Sequence, residues 1–210
     1  MARKKVDKPV KEMLVIFVEG DADEIIINRL LDHYRSNGWK YESDIKLKNT
    51  HGFPDEKKIK AYLTTIIETM SEKIIKFKAV CCEYDTDVFE KGTKQRPDWE
   101  KIGNNLRDNY GVNEFCRIEA KTSIEDWMLD DSEGLLKVLH LPLSTNIKGM
   151  SGQDKVKSLF RKKNIMYDRS KGKNTIKKYL DNLDISKIAN NRKVELKDFE
   201  NILGVKNNDE

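Results

Sequence analysis

The chain has 210 residues, of which 38% are hydrophobic and 36% charged, whereas an ordinary domain carries about 25% charged residues. This length fits one domain, or one domain with a small appendage, and supplies enough apolar side chains for a core beneath an ionic surface. The longest apolar run, Met13 to Val18, is much shorter than the roughly 20 residues that a membrane helix needs. We therefore expect no membrane association, and the basic N-terminus lacks the apolar segment of a signal peptide.

The cysteines and histidines argue against two further classes of protein. Cys81, Cys82 and Cys116 form an odd set without C-x-x-C spacing, and the three histidines lie far apart in the chain. A disulfide scaffold and a zinc ribbon are therefore disfavoured, and a reducing cytoplasmic environment is the expected location.

Positive charge is concentrated in two segments. Residues 1–11 carry a net charge of +4, and residues 148–178 carry +9, from eleven Lys and Arg against two Asp. Residues 12–147 carry −7. An acidic body with basic segments suits a polyanionic partner such as RNA or DNA, because each neutralised phosphate releases counterions. The alternative is a solvated, lysine-rich surface.

The hydrophobic pattern predicts four strand–helix units in chain order. The apolar run at 13–18 is typical of a strand buried on both faces of a parallel sheet, and the acidic residues at 21–24 open a helix in the manner of a capping box. Further strands are expected near 44–48, 78–84 and 115–120, and further helices over about 54–70, 97–110 and 123–139.

This order predicts an α/β fold with a four-stranded, mainly parallel, Rossmann-like sheet flanked by helices. After Pro142 the pattern changes to short helices separated by basic loops. We therefore expect an α/β domain over 12–140 and a helical, basic C-terminal extension over 141–206 that packs on it.

Acidic residues follow two of the predicted strands. Glu19 ends the first strand, and Asp85 and Asp87 follow the third. Ligand sites of open parallel sheets lie beyond the carboxyl ends of the strands, and residues two apart on an extended chain point the same way. If the two strands are neighbours, the three carboxylates converge, and a divalent cation such as Mg²⁺ relieves their repulsion.

These motifs resemble a known family. The stretch from Val18 to Glu24 (Val-Glu-Gly-Asp-Ala-Asp-Glu) and the motif Asp85-Thr86-Asp87, in this βα order, look like a Toprim domain. That metal-binding fold is shared by topoisomerases, bacterial primases, OLD-type nucleases and small ribonucleases. The resemblance covers residues 13 to about 139 and implies that Glu19, Asp85 and Asp87 bind Mg²⁺ or Mn²⁺ and catalyse phosphodiester chemistry.

The segment 123–127 is similar to one in stand-alone, OLD-like and RloB-type antiphage Toprim proteins. Related systems pair the Toprim protein with an ABC/OLD-type ATPase, so the resemblance also implies such a partner. Glu125 is then a candidate ligand of a second metal, although helix capping is an alternative for Glu125 and its neighbour Asp126. Asp21, in the acidic run 21–24, either extends the metal site or caps the helix, and Asp23 and Glu24 are interpreted as acids of the first helical turn.

Two lysines are further catalytic candidates. A loop carrying Lys171 and Lys173 could place an ammonium group on the scissile phosphate, with a basic surface loop as the alternative. Tyr167 as a topoisomerase nucleophile is rejected, because strand passage needs further large domains.

The sequence thus predicts a Mg²⁺-dependent nuclease, plausible as an antiphage effector, in which Glu19 doubles as general acid or base. No P-loop is present, and an acid stands where a dinucleotide fold needs glycine. The alternative is a non-catalytic Toprim-like module that binds a partner ATPase or nucleic acid, and primase activity is a weaker third option.

Overall fold

The fold is built on one four-stranded sheet whose strands are all parallel. The computed structural model describes residues 8–90, 92, 94–167 and 173–205. The strands are β1 (Val10–Val18), β2 (Asp44–Asn49), β3 (Ile74–Asp85) and β4 (Glu114–Ala120), in the order β2-β1-β3-β4. The predicted α/β class, with a four-stranded Rossmann-like sheet, is confirmed. The two central strands, β1 and β3, are the most apolar, as strands covered on both faces must be.

Helices connect the strands and continue to the C-terminus. Those within the βα units are α1 (Asp21–Ser36), α2 (Glu56–Thr69), α3 (Asp87–Glu90), α4 (Trp99–Tyr110), α5 (Ile124–Met128) and α6 (Ser132–Val138). Those of the C-terminal extension are α7 (Gly152–Arg161), α8 (Lys173–Leu180), α9 (Ile185–Asn191) and α10 (Lys193–Leu203). Within the described residues, no helix is long and apolar enough to cross a membrane.

One predicted helix, 123–139, is divided in the structure. A 3₁₀ turn, Leu129–Asp131, separates α5 from α6. The carboxylate of Asp131 accepts the backbone N–H of Gly134 and so caps α6, while the same side chain pairs with Lys187 of α9 at 2.8 Å. Capping groups start a new helix wherever they satisfy its first N–H groups, and here the cap is held by a tertiary contact that the sequence pattern does not reveal.

Both faces of the sheet are covered by apolar side chains. On one face, Met13, Val15 and Phe17 of β1 pack with residues of α2 and α4. On the other face, Leu14, Ile16 and Val18 pack with α1 and with the C-terminal helices. Alternate residues of β1 therefore serve two separate core layers, which explains why its apolar run is uninterrupted.

The C-terminal helices are joined to the α/β body by polar contacts as well as by the core. Arg29 of α1 donates to the backbone carbonyls of Leu180 and Leu183, at the end of α8. The hydroxyl of Tyr34 donates to Glu200 of α10 at 2.7 Å, in a buried position. These bonds connect residues more than 150 positions apart.

The three cysteines are reduced and buried within the sheet. Cys81 and Cys82 lie on β3 and Cys116 lies opposite Cys81 on β4. Burial raises the pKa of the Cys81 and Cys82 thiols well above the ordinary value, so both side chains behave as small apolar core residues.

Candidate metal centre

Three carboxylates meet beneath the carboxyl edge of the sheet. Oxygens of Asp23, Glu83 and Asp85 lie within 4.8 Å of one another. Asp23 and Glu83 are completely buried and Asp85 is 2% exposed. Charged groups are rarely removed from water without a compensating partner, so this cluster stands apart from the acids of the surface.

A bulge in β3 places two of these carboxylates on the same face as α1. Lys78 is an extra residue of β3, because Met13 and Leu14 of β1 pair with Phe77 and Ala79. Phe77 accordingly packs with α2 and α4, whereas Ala79 and Cys81 pack with α1. A bulge of this kind exchanges the two faces of the strand beyond it. Glu83 and Asp85 continue the odd-numbered series and therefore meet α1.

The first turn of α1 supplies the third carboxylate. Gly20 precedes the helix in an extended conformation. A Cβ atom added at Gly20 would lie 3.1 Å from Oδ2 of Asp23, so any other residue here would require the Asp23 carboxylate to move by a few tenths of an ångström. Asp21, in contrast, turns away and accepts a hydrogen bond from Asn49 of β2 at 2.9 Å. The predicted capping box at 21–24 does not form, because no side chain caps α1.

Glu83 is the most constrained member of the cluster. In the described part of the chain, its Oε1 accepts no hydrogen bond from an N–H or hydroxyl donor, and its Oε2 accepts a long one, 3.4 Å, from the backbone N–H of Glu19. Burial, followed by the negative charges of Asp23, Asp85 and Glu19, raises the pKa of Glu83 well above its ordinary value. Burial and the neighbouring carboxylates therefore favour the protonated form of Glu83 over the ionised form as long as no cation is bound.

Asp85 connects the cluster to the segments around it. Its Oδ1 accepts the backbone N–H of Ile124, the first residue of α5, at 2.8 Å. Its own backbone N–H donates to Oε2 of Glu19 at 3.0 Å. Glu19 is half-buried, so its side chain lies between the buried cluster and solvent. Two of the predicted ligands, Glu19 and Asp85, are thus neighbours in the structure.

Asp87 and Glu125 do not belong to the cluster of three among the described residues. Strand β3 ends at Asp85, and Asp87 is the first residue of α3, where its backbone N–H donates to the carbonyl of Thr122. The chain is therefore not extended from Asp85 to Asp87, so the extended-chain argument for bringing both carboxylates to one point does not apply. The pair on one face is Glu83 and Asp85 instead, although a role for Asp87 in metal binding stays a prediction.

Glu125 is completely buried near the same edge. Its Oε1 accepts a hydrogen bond from the hydroxyl of Tyr167 at 3.0 Å, and the ring of Tyr167 packs against Phe160 with centroids 5.1 Å apart. This contact ties α5 to the C-terminal extension. A second metal at Glu125 stays a prediction, and Tyr167 has the surroundings of a core residue.

The remaining candidates cannot be placed at the cluster. Lys171 lies outside the described residues, and Lys173 begins α8 with its side chain outside them.

The cluster has the dimensions and chemistry of a divalent cation site. Oxygens on opposite sides of Mg²⁺ are about 4.2 Å apart, and those around Ca²⁺ about 4.6–5.2 Å apart. Carboxylate oxygens that lie within 4.8 Å of one another could hold one metal ion once they close to the shorter spacing that adjacent ligands of an ion require. Asp23, Glu83 and Asp85 would bind the ion, and the position of Glu19 suits an outer contact.

The sequence pattern alone did not single out Glu83. The residues around it, Val80, Cys81, Cys82 and Tyr84, are buried. A single acid within such an apolar strand is the sequence signal for Glu83, because a carboxylate in the core needs a proton or a cation. No family model, no curated protein and no solved structure matches the chain. The geometry described above is therefore the basis for assigning a function.

Proposed function

We propose that the protein is a Mg²⁺- or Mn²⁺-dependent Toprim-like nuclease that hydrolyses phosphodiester bonds of RNA or DNA. The observation that carries this proposal is the convergence of Asp23, Glu83 and Asp85 within 4.8 Å, at the edge of a parallel sheet where ligand sites of such folds lie. A purely structural cluster would place a carboxylate such as Glu83 against N–H donors. The resemblance of the 18–24 and 85–87 segments to Toprim motifs supports the same chemistry.

The residues divide into a buried and an outer group. When bound, the cation would supply a Lewis acid that activates water and offsets charge on the phosphodiester. Asp23, Glu83 and Asp85 would hold it from the protein side, and their burial strengthens their attraction for the ion. Glu19 and Asp87 are only partly buried and lie toward the solvent side, where Glu19 would accept or donate the proton of the hydrolytic step.

The buried position of the cluster supports a second candidate function. All three carboxylates are at most 2% exposed. Such burial is expected of the ligands of an ion that stabilises the fold and does not contact a substrate. In that case the protein would be a non-catalytic Toprim-like module that binds a partner, such as an ABC/OLD-type ATPase, or nucleic acid. An antiphage role is compatible with either function.

Glu83→Gln and Asp85→Asn test the proposal, with Glu68→Gln, an exposed position on α2, as the matched control. We expect calorimetric titration to show one or two Mn²⁺ sites in the wild type and the control, and none in the two cluster variants. Cleavage of an RNA and DNA panel should fall more than about 100-fold in the cluster variants, since second-shell changes alone cost about 10–100-fold. Metal binding without cleavage by the wild type would favour the structural ion, and no metal binding would overturn both.

A further inference from the structure

A cleft in the C-terminal half is lined by cations and by no acid among the described residues. It encloses about 740 Å³ between the C-terminal ends of α6 and α8 and the turn after α7. Its charged and polar lining consists of Lys137, His140, Lys163, Lys178, Tyr179 and Asn182. The cleft shares no lining residue with the acidic cluster.

The three lysines of this cleft are not neutralised by neighbouring acids. Lys137, Lys163 and Lys178 are exposed, and none forms an ion pair within the part of the chain that is described. Adjacent cations behave differently, since Lys177 pairs with Asp181 at 2.7 Å and Lys187 with Asp131 at 2.8 Å. The cleft lysines thus have no acidic partner among the described residues, and the Lys178 ammonium lies over the ring of Tyr179, 4.8 Å from its centroid.

Helix termini alone do not explain the lysines. Lys137 and Lys178 lie in the last turns of α6 and α8, where a helix C-terminus carries about −0.5 of an elementary charge. Even three such termini around the cleft would offset only about half of three ammonium groups. The cleft therefore keeps a positive excess, which suits an anion.

The charge continues beyond the cleft, which favours an extended anion. Arg161, Lys162 and Lys163 are consecutive exposed cations at the end of α7. An ammonium group binds phosphate as a compact point charge and lacks the planar fork of donors that a guanidinium group has. Such a surface contacts the backbone of a nucleic acid and is indifferent to its sequence.

We propose that this cleft binds the phosphate backbone of a nucleic acid strand, through Lys137, Lys163 and Lys178. The inference rests on the proposed function for the identity of the polyanion and adds the place and mode of its binding. The cleft lies between α6 and the helices of the extension and shares no lining residue with the acidic cluster, which separates strand binding from the reaction. Binding can therefore be measured without metal and without cleavage.

The test compares two triple variants of the full chain. Lys137→Gln, Lys163→Gln and Lys178→Gln together remove the cations of the cleft. Lys57→Gln, Lys101→Gln and Lys197→Gln remove the same charge from exposed positions elsewhere. Fluorescence anisotropy with labelled 20-nucleotide RNA and DNA strands in EDTA, from 50 to 300 mM NaCl, gives Kd and its salt dependence. A competition with ATP and inorganic phosphate distinguishes a strand from a mononucleotide.

We expect the cleft variant to bind at least about 10-fold more weakly than the wild type at 50 mM salt. The slope of log Kd plotted against log salt concentration should fall by about 2 for a single strand, that is, by about 0.7 for each lost phosphate contact. The control should stay within twofold of the wild type. Equal weakening of both variants, or displacement of the strand by micromolar ATP, would overturn the inference. Strand binding in the cleft without metal-dependent cleavage would contradict the proposed nuclease activity but support the proposed binding of a strand in the cleft.

Discussion

At the scale of single residues, burial and three nearby carboxylates all oppose ionisation of Glu83. It is completely buried, and the carboxylates of Asp23 and Asp85 lie close by. Deprotonating such a group opposes folding unless a cation is bound. The buried cluster thus destabilises the metal-free protein, because it places ionisable groups where a core would otherwise avoid them.

The contribution of Glu83 to the stability of the metal-free protein should therefore fall as pH rises. Because the pKa of Glu83 is raised by folding, the folded state binds its proton more tightly than the unfolded chain. This unfavourable contribution is absent below the ordinary value of 4.5 and grows as pH rises toward the raised pKa. Glu83→Gln removes the group that titrates, so in EDTA its free energy of unfolding should exceed that of the wild type increasingly from pH 4.5 to pH 8.

Urea unfolding of both proteins across this range checks the prediction. Saturating Mn²⁺ should reverse the order at pH 8, because the ion favours the ionised cluster of the wild type alone. A difference between the two proteins that does not change with pH would contradict the raised pKa.

Individual acids show how far the sequence could lead. Glu19 and Asp85 were found because acids that end apolar strands meet at one edge of a parallel sheet, and they are neighbours in the structure. Asp87 was grouped with Asp85 on the assumption of an extended chain, whereas a helix begins there. Glu83 was not singled out, because the face it occupies depends on the bulge at Lys78, which only the pairing with β1 reveals.

At the scale of elements, one guanidinium group adds hydrogen bonds to the apolar packing between α1 and the end of α8. Arg29 donates to the two carbonyls that end α8 and the following turn, Leu180 and Leu183. Terminal carbonyls of a helix have no partner within it, and a planar group with several N–H donors can reach two at once. Arg29 therefore donates to the last carbonyl of α8, which also accepts the N–H of Leu183 at 3.2 Å, and to the carbonyl of Leu183 in the turn that follows.

Arg29→Lys should lower the free energy of unfolding by about 1–3 kcal/mol, the usual effect of leaving a part-buried polar group without its hydrogen bond. The charge is kept, so electrostatics change little. Arg107→Lys is the matched control. Arg107 is exposed, and among the described residues its guanidinium group donates a hydrogen bond within its own helix, to Asn104. Urea unfolding measures both. Equal stabilities of the two variants would mean that the bonds to α8 contribute nothing.

The order of the elements was predictable and their arrangement was not. Apolar runs and helical periodicity identify the four βα units. Strand order, in contrast, is a property of tertiary packing. It is β2-β1-β3-β4, and it makes β1 and β3 neighbours, as the predicted metal site requires.

At the scale of the whole molecule, the C-terminal helices form part of the core. Side chains of the extension share one cluster with β1, α1 and β4; they include Val156, Leu159, Phe160, Ile176, Leu180, Ile188, Leu196 and Phe199. Hydrophobic burial of this extent stabilises at about 1.5–3 kcal/mol per fully buried large side chain. Net stabilities of domains are only about 5–15 kcal/mol.

A chain that ends at residue 140 should therefore not fold by itself. We expect it to lack a cooperative thermal transition and to bind a hydrophobic dye, whereas the full chain unfolds in one transition. Calorimetry and dye fluorescence of the two chains, measured side by side, provide the comparison. A cooperative transition for residues 1–140 would instead show that residues 141–206 are a separate domain.

The three thiols inside the sheet give the molecule an internal reporter. Alkylating reagents attack the thiolate form, and Cys81 and Cys82 are shielded from water with their proton held more tightly than usual. Both lie on β3, which has strand neighbours on either side. Their modification therefore requires that β3 separates from its neighbouring strands, and the labelling rate measures how often the centre of the sheet opens. An ion that stabilises the sheet would lower that rate.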